Sequence, residues 1–212
     1  MAIGQYYNLL TDSLQSFQRA VDLSPIDVRV QFKVGYCLYL LGRSNEAKLS
    51  YMLGLELAAE TNSNRWLGLL PKLHIQLGIV LKGEGMLFCA CEHYCEALVL
   101  CPTNDRAFWL LGTALLQLGE YRSAEKALEE AVFLKPGFAD AHYDLGSALH
   151  ELGEDERAVL EFQRTIDLNP NHLDALYELG CLFQDMGRYH RAAEMYERIM
   201  GPQQDDRLGC IT

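Results

Sequence analysis

The sequence predicts an all-α fold, in which antiparallel helix pairs stack as an α-solenoid and wind into a right-handed superhelix. Three observations predict it. Glycines fall at Gly78, Gly112, Gly146 and Gly180, and again at Gly85, Gly119, Gly153 and Gly187, every step being 34 residues. Alanines at Ala90, Ala124, Ala158 and Ala192 and prolines at Pro102, Pro136 and Pro170 keep that step. Between these markers apolar residues recur three and four apart, the spacing of an amphipathic helix. A fixed period of this length marks a repeat array, where each unit buries its apolar face only against its neighbours.

Each marker has a physical task. The earlier glycine lacks a side chain, so the two helices of a pair can approach closely. The later glycine ends the first helix, where a left-handed cap favours a residue without Cβ. The alanine lies where the second helix crosses the first. The proline closes the second helix, because it has no N–H to continue the ladder.

Five units follow in order: 28–61, 71–104, 105–138, 139–172 and 173–200. The first two start 43 residues apart, one period plus nine, so an insert at 62–70 must lengthen a helix or bulge as a loop. Ahead of them, 1–27 is a partial unit: Phe17, Ala20 and Pro25 fit only a second helix. Met1 falls where the first helix of that unit should be under way. Behind them, Gly201-Pro202 stops the pattern, and 201–212 reads as a polar, disordered tail with no capping helix. An uncapped array is expected to come from a longer one, and to self-associate through its ends.

The motif pattern carries a resemblance. From Asp105, residues Phe108, Leu111-Gly112, Leu115, Ala124, Leu128, Ala131 and Pro136 resemble the tetratricopeptide repeat (TPR) in order. The next unit gives His142, Leu145-Gly146, Leu149, Ala158, Phe162, Thr165 and Pro170. Further stretches are similar to the repeat half of a plant family that joins calcium-binding EF-hands to such repeats. They are Leu69-Leu70-Pro71, Gly83-Glu84-Gly85-Met86, Leu100-Cys101-Pro102-Thr103 and Gly153-Glu154-Asp155-Glu156-Arg157-Ala158. No stretch has the alternating Asp/Asn ligands, central Gly and final Glu of an EF-hand loop, so calcium binding is not expected of this chain.

The resemblance implies a protein-interaction scaffold, not an enzyme, with the first helix of each unit lining a concave groove. By the family pattern, position 2 holds Arg29, Lys72, Arg106, Asp140 and Asp174. Position 6 holds Lys33, Gln76, Leu110, Asp144 and Glu178. Position 5 holds Phe32, Ile75, Trp109, Tyr143 and Tyr177, and Tyr36 stands at position 9. The groove is then expected to be basic in its N-terminal half, acidic in its C-terminal half, and aromatic between. Charge of this kind steers and orients a partner, and aromatic side chains anchor it. The expected partner is a protein or peptide, extended or helical. The Lys/Asn carboxylate clamp of chaperone-binding repeats is absent, as is the asparagine ladder of O-GlcNAc transferase.

Composition narrows the alternatives. A net charge of −11 over 212 residues disfavours nucleic-acid and anionic-membrane partners. RNA binding, known among other helical repeats, is thus the weakest reading. A non-catalytic piece of a larger calcium sensor or glycosyltransferase-like protein is the other alternative. No apolar run nears the roughly 18 residues of a membrane span, and the N-terminus has no signal-peptide pattern. Seven cysteines, an odd number, fit a reducing compartment, hence the cytoplasm or nucleus. Cys89, Cys91, Cys95 and Cys101 with His93 form the one metal-like cluster, but its spacing is not that of a zinc site. These cysteines read as small apolar packing residues. His142 reads as core, and Glu129-Glu130 and Glu154-Asp155-Glu156 as solvated helix faces or starts. No cofactor is expected.

Overall fold

The computed structural model describes residues 3–61 and 64–200. It contains eleven α-helices and no strand among the described residues. They are α1 (Ile3–Leu23), α2 (Val28–Leu40), α3 (Ser44–Thr61), α4 (Leu70–Gly83), α5 (Leu87–Leu100), α6 (Asp105–Gln117), α7 (Tyr121–Leu134), α8 (Ala139–Glu151), α9 (Asp155–Leu168), α10 (Leu173–Asp185) and α11 (Tyr189–Met200). The chain divides into an N-terminal unit up to Gly119 and a C-terminal unit from Glu120. Helix pairs α2–α3 and α4–α5 pack in the first, and α8–α9 and α10–α11 in the second. The expected tail, 201–212, lies outside the described residues.

Each pair closes in the same way. The first helix of the α4–α5 pair ends at Gly85, with φ +77°, and that of the α8–α9 pair at Gly153, with φ +73°. In this left-handed conformation the next amide reaches back over the last turn. Met86 N–H donates to the Leu81 carbonyl at 2.9 Å, and Glu154 N–H to the Leu149 carbonyl at 2.9 Å. Those bonds satisfy carbonyls that a helix end would otherwise leave open. Second helices α5, α7 and α9 stop two residues before Pro102, Pro136 and Pro170, as the proline spacing requires. Several first helices have a side-chain cap: Asp27 accepts from Arg29 N–H at 2.9 Å, and Asn104 from Ala107 N–H at 2.9 Å.

Close approach has one geometry in the pairs α2–α3, α4–α5, α8–α9 and α10–α11. A Cβ built on Gly78 would stand 2.5 Å from the ring of Tyr94, and one on Gly146 2.8 Å from the ring of Phe162. Gly35 meets Tyr51 and Gly180 meets Tyr196 in the same manner. Ala47, Ala90, Ala124 and Ala158 are fully buried. With Leu73, Leu77, Leu145, Leu149, Leu176 and Leu179, such residues form the core of each unit.

Two segments refine the sequence reading. The insert does both things the extra nine residues allow: α3 is longer than α5, at 18 residues against 14, and a 3-10 turn follows at Asn64–Trp66. Trp66 is the reason the turn packs. Its ring is buried, its indole N–H donates to Thr61 Oγ1 at 3.1 Å, and the Arg65 guanidinium lies 4.8 Å from its centroid. At the N-terminus, α1 packs on α2 as a second helix should, but it runs unbroken for 21 residues. No glycine stands one period before Gly42, at Asn8, so no turn divides it.

Candidate functional site

The residues expected to bind a partner sit on the first helices of their pairs. In the N-terminal unit two of the four candidate cations, Arg29 and Lys33, are already engaged. Arg29 forms a two-pronged ion pair with Asp27, Nη2 to Oδ2 at 2.8 Å and Nε to Oδ1 at 3.2 Å. The pair holds the Asp27 carboxyl below the usual range, chiefly through the Arg29 side-chain hydrogen bond. The same guanidinium lies 5.7 Å from the Trp66 ring, which lines a cavity of about 270 Å³ with Ser24, Ile26, Asp27, Thr61 and Arg65. The Lys33 ammonium stands 5.2 Å over the Phe17 ring. Sequence reasoning placed both cations in the groove but missed these partners, because Asp27 and Trp66 lie outside the repeat pattern. Lys72 and Arg106 are exposed.

The aromatic residues divide between core and surface. Phe32 is half-buried, stacks on exposed Tyr36 with centroids 6.5 Å apart, and meets Tyr51 at 6.1 Å. Ile75 is 6 % exposed and belongs to the core cluster, so it offers a partner almost no surface. Trp109 is half-buried against that cluster. In the C-terminal unit the half-buried Tyr143 packs on Phe162 at 5.7 Å and on His172 at 4.8 Å. Tyr177 touches Tyr196 at 6.3 Å yet stays 56 % exposed.

The carboxylates of the C-terminal unit behave differently from the cations of the N-terminal one. Among the described residues no cation pairs with Asp140, Asp174 or Glu178. The Tyr143 phenol is pushed up by burial first and then by the charges of Glu178, Asp174 and Asp144. Asp174 and Glu178 beside this aromatic ring form an attractive seat for a cationic side chain.

The structure corrects the reading of the acidic runs. Glu129 and Glu154 are not merely solvated: Arg157 binds Glu125 at 2.7 Å and Glu129 at 2.9 Å, and also Glu154. Arg122 joins Glu125 at 3.2 Å and Glu154 at 2.8 Å. The sequence signal was the arginine–glutamate spacing of three on α7 and again from Glu154 into α9. His142 is buried as expected of a core position, but it is a bonded polar core residue. Its Nδ1 meets Glu161 Oε2 at 2.7 Å and its Nε2 meets the Pro136 carbonyl at 3.0 Å.

The cysteines of the α5 stretch differ in exposure. Cys89 and Cys95 are exposed while Cys91 and Cys101 are half-buried, and burial pushes the Cys91 and Cys95 thiols up. Raised thiols are poor nucleophiles and poor ligands. Among the described residues no three His, Cys, Asp or Glu side chains are placed to hold a metal ion. Among the same residues, no helix is long and apolar enough to cross a membrane.

Three family models described as "Tetratricopeptide repeat" match residues 28–61, 110–172 and 161–194. Two uncharacterized TPR repeat-containing proteins of Arabidopsis thaliana are each 56% identical, over 116 and 114 residues. Those stretches are 53% and 52% of this chain and 14% of each relative, so the chain spans a small part of their length. Both relatives are plant proteins, and the matches carry nothing on calcium. Among solved structures, YrrB, a TPR protein with an unusual peptide-binding site, superposes with TM-score 0.73 at 23% identity. That match covers 91% of this chain and 95% of YrrB. MamA superposes with TM-score 0.70 at 23% identity, over 79% of this chain and 92% of MamA.

Proposed function

We propose that this chain, a member of the tetratricopeptide-repeat family, binds a partner protein or peptide on the first-helix faces of its units. The observation that carries the reading is the C-terminal unit's acidic face: Asp174 and Glu178, with no ion pair among the described residues, beside half-buried Tyr143 and exposed Tyr177, with Asp140 on the same helix as Tyr143. A segment bearing lysine or arginine would place its cation among these carboxylates and its aliphatic stem on the tyrosine ring. YrrB, a TPR protein with an unusual peptide-binding site, has the same fold, which supports a peptide as the kind of partner. The N-terminal unit offers Lys72 and Arg106 to an acidic segment, with Arg29 already balanced by Asp27. The net charge of −11 sets the chain against polyanions such as RNA. A second reading is that the chain serves as a binding module within a longer protein. It rests on the relatives, where the match occupies 14% of the length.

The test is binding of fluorescent peptides of equal length, lysine/arginine-rich or aspartate/glutamate-rich, at several salt concentrations. The basic set should bind more tightly, and lose affinity as salt screens the face. Asp174→Asn with Glu178→Gln should weaken it by roughly tenfold or more, the scale of about 1.4 kcal/mol. Tyr177→Ala should weaken it without altering the salt slope. Equal binding of both sets, or no effect of the double variant, would discard the acidic face as the site.

A further inference from the structure

We infer that the α4–α5 pair is an acid-labile joint, built from two facing imidazoles, whereas the α8–α9 pair is acid-tightened by a histidine and a carboxylate in the same place. His74 on α4 and His93 on α5 are 19 residues apart in sequence, and their Nδ1 atoms meet at 3.1 Å, with ring centroids 5.3 Å apart. His142 on α8 and Glu161 on α9 are also 19 apart and meet through Nδ1 at 2.7 Å. Both pairs occupy the same two slots of the repeat, 68 residues or two periods from one another.

Hydrogen-bond chemistry alone gives the two contacts opposite demands. A nitrogen-to-nitrogen bond needs one donor and one acceptor, so just one of the facing Nδ1 atoms carries a proton. Protonating both rings turns N–H against N–H and adds two like charges at 3.1 Å. His142 is the reverse. Both its partners, the Glu161 carboxylate and the Pro136 carbonyl, accept hydrogen bonds, so only the imidazolium, which donates from both nitrogens, satisfies them.

The surroundings reinforce the contrast. Burial, then the charge of His93, holds the His74 imidazole below the ordinary histidine value, and burial does the same for His93. Opposing this among the described residues are Glu96, acting on both rings, and Glu92, acting on His93; the net direction stays down for each. His74 also lines a cavity of about 340 Å³ with Leu55, Ala58 and Ala59 of α3, Asn64 and Leu67 of the insert, and Leu70. None of those side chains titrates. For His142 the Glu161 hydrogen bond outweighs burial and the nearby Arg164, so its value is raised.

The signs follow from linkage. Stability contributed by His74 and His93 is fully present above the unfolded histidine value and is lost as pH falls through their depressed folded values. Stability contributed by His142 is fully present below the unfolded value and is lost as pH rises through its raised folded value. Acidification therefore loosens α4–α5, beneath the packed insert, and strengthens α8–α9.

Amide hydrogen exchange on the whole chain at pH 7.5 and 5.5, corrected for intrinsic rates, reads both pairs at once. Protection in α4–α5 should fall by up to about tenfold per pH unit for each proton taken up, while protection in α8–α9 holds or rises. His93→Glu rebuilds the α8–α9 contact in α4–α5 and should remove or invert the acid loss there. His74→Gln, the milder change, should flatten it. Unchanged α4–α5 protection in the wild-type chain, or the same acid loss in His74→Gln, overturns the inference.

Discussion

The α4–α5 and α8–α9 pairs are built on one backbone plan and filled with different chemistry. Gly78 and Gly146 hold the same position, as do Gly85 and Gly153, Ala90 and Ala158, and Tyr94 and Phe162. Where the plan fixes geometry, the pairs agree: each glycine lies against the ring of its partner helix, and each turn glycine has φ near +75°. Where it leaves a side chain open, they diverge. α5 buries a tyrosine where α9 buries a phenylalanine, and a histidine faces histidine in one pair and glutamate in the other. The period thus specifies the fold, and the local contents decide stability, pH response and binding.

The largest expected effect tests the shared plan. In Gly78→Ala the new Cβ would stand 2.5 Å from Tyr94 Cε1, and in Gly146→Ala 2.8 Å from Phe162. Both rings are essentially fully buried and cannot swing aside. Overpacking of this kind costs about 1–3 kcal/mol, sometimes more. Urea unfolding should show a loss in both variants, the greater in Gly78→Ala, where approach is closer. A loss under about 0.5 kcal/mol, the scatter of ordinary surface substitutions, would mean the helices separate freely and the close contact is not what fixes the pair.

A smaller effect, of opposite sign, tests the divergence. The Tyr94 and Tyr51 hydroxyls are buried and meet no hydrogen-bond partner among the described residues. Burial also pushes both phenols well up. Leaving a polar group unpaired costs free energy that a phenylalanine avoids. Tyr94→Phe, which makes α5 like α9 at this slot, should raise stability by on the order of 1 kcal/mol. A loss of stability instead would show that the hydroxyl has found a partner in solution.

The sequence made the backbone plan legible because each of its parts is a residue type that the backbone requires. Left-handed turns favour glycine, close crossings need glycine or alanine, and a helix stop tolerates proline; all three recur at fixed spacing. The candidate faces were legible only as positions. That Lys33 would lie over Phe17, or that Arg29 would pair with Asp27, depends on how the partial first unit and the connecting loop meet α2, which spacing alone does not give. Trp66 escaped notice for the same reason: its neighbours Thr61, Arg65 and Arg29 become neighbours only once the insert turns back. Ile75 was misplaced by a family pattern that averages over units, while this unit buries an aliphatic chain where others present a ring.

The finest comparison asks whether the two pairs differ anywhere in their backbones. Gly85 and Gly153 have φ of +77° and +73°, and a Cβ on either would find nothing within 4 Å. Steric crowding therefore contributes nothing, and the cost of an alanine is conformational alone, about 1 kcal/mol for holding an L-residue in the left-handed region. Gly85→Ala and Gly153→Ala should cost the same within about 0.3 kcal/mol, since neither turn has a neighbour to couple with. Asparagine, which tolerates this region better, should recover part of the loss at both sites. Equal losses would assign every other difference between the pairs to side chains. A clearly larger loss at Gly85 would place some of α4–α5's lability in its turn, and would lower the share that the facing imidazoles have to explain.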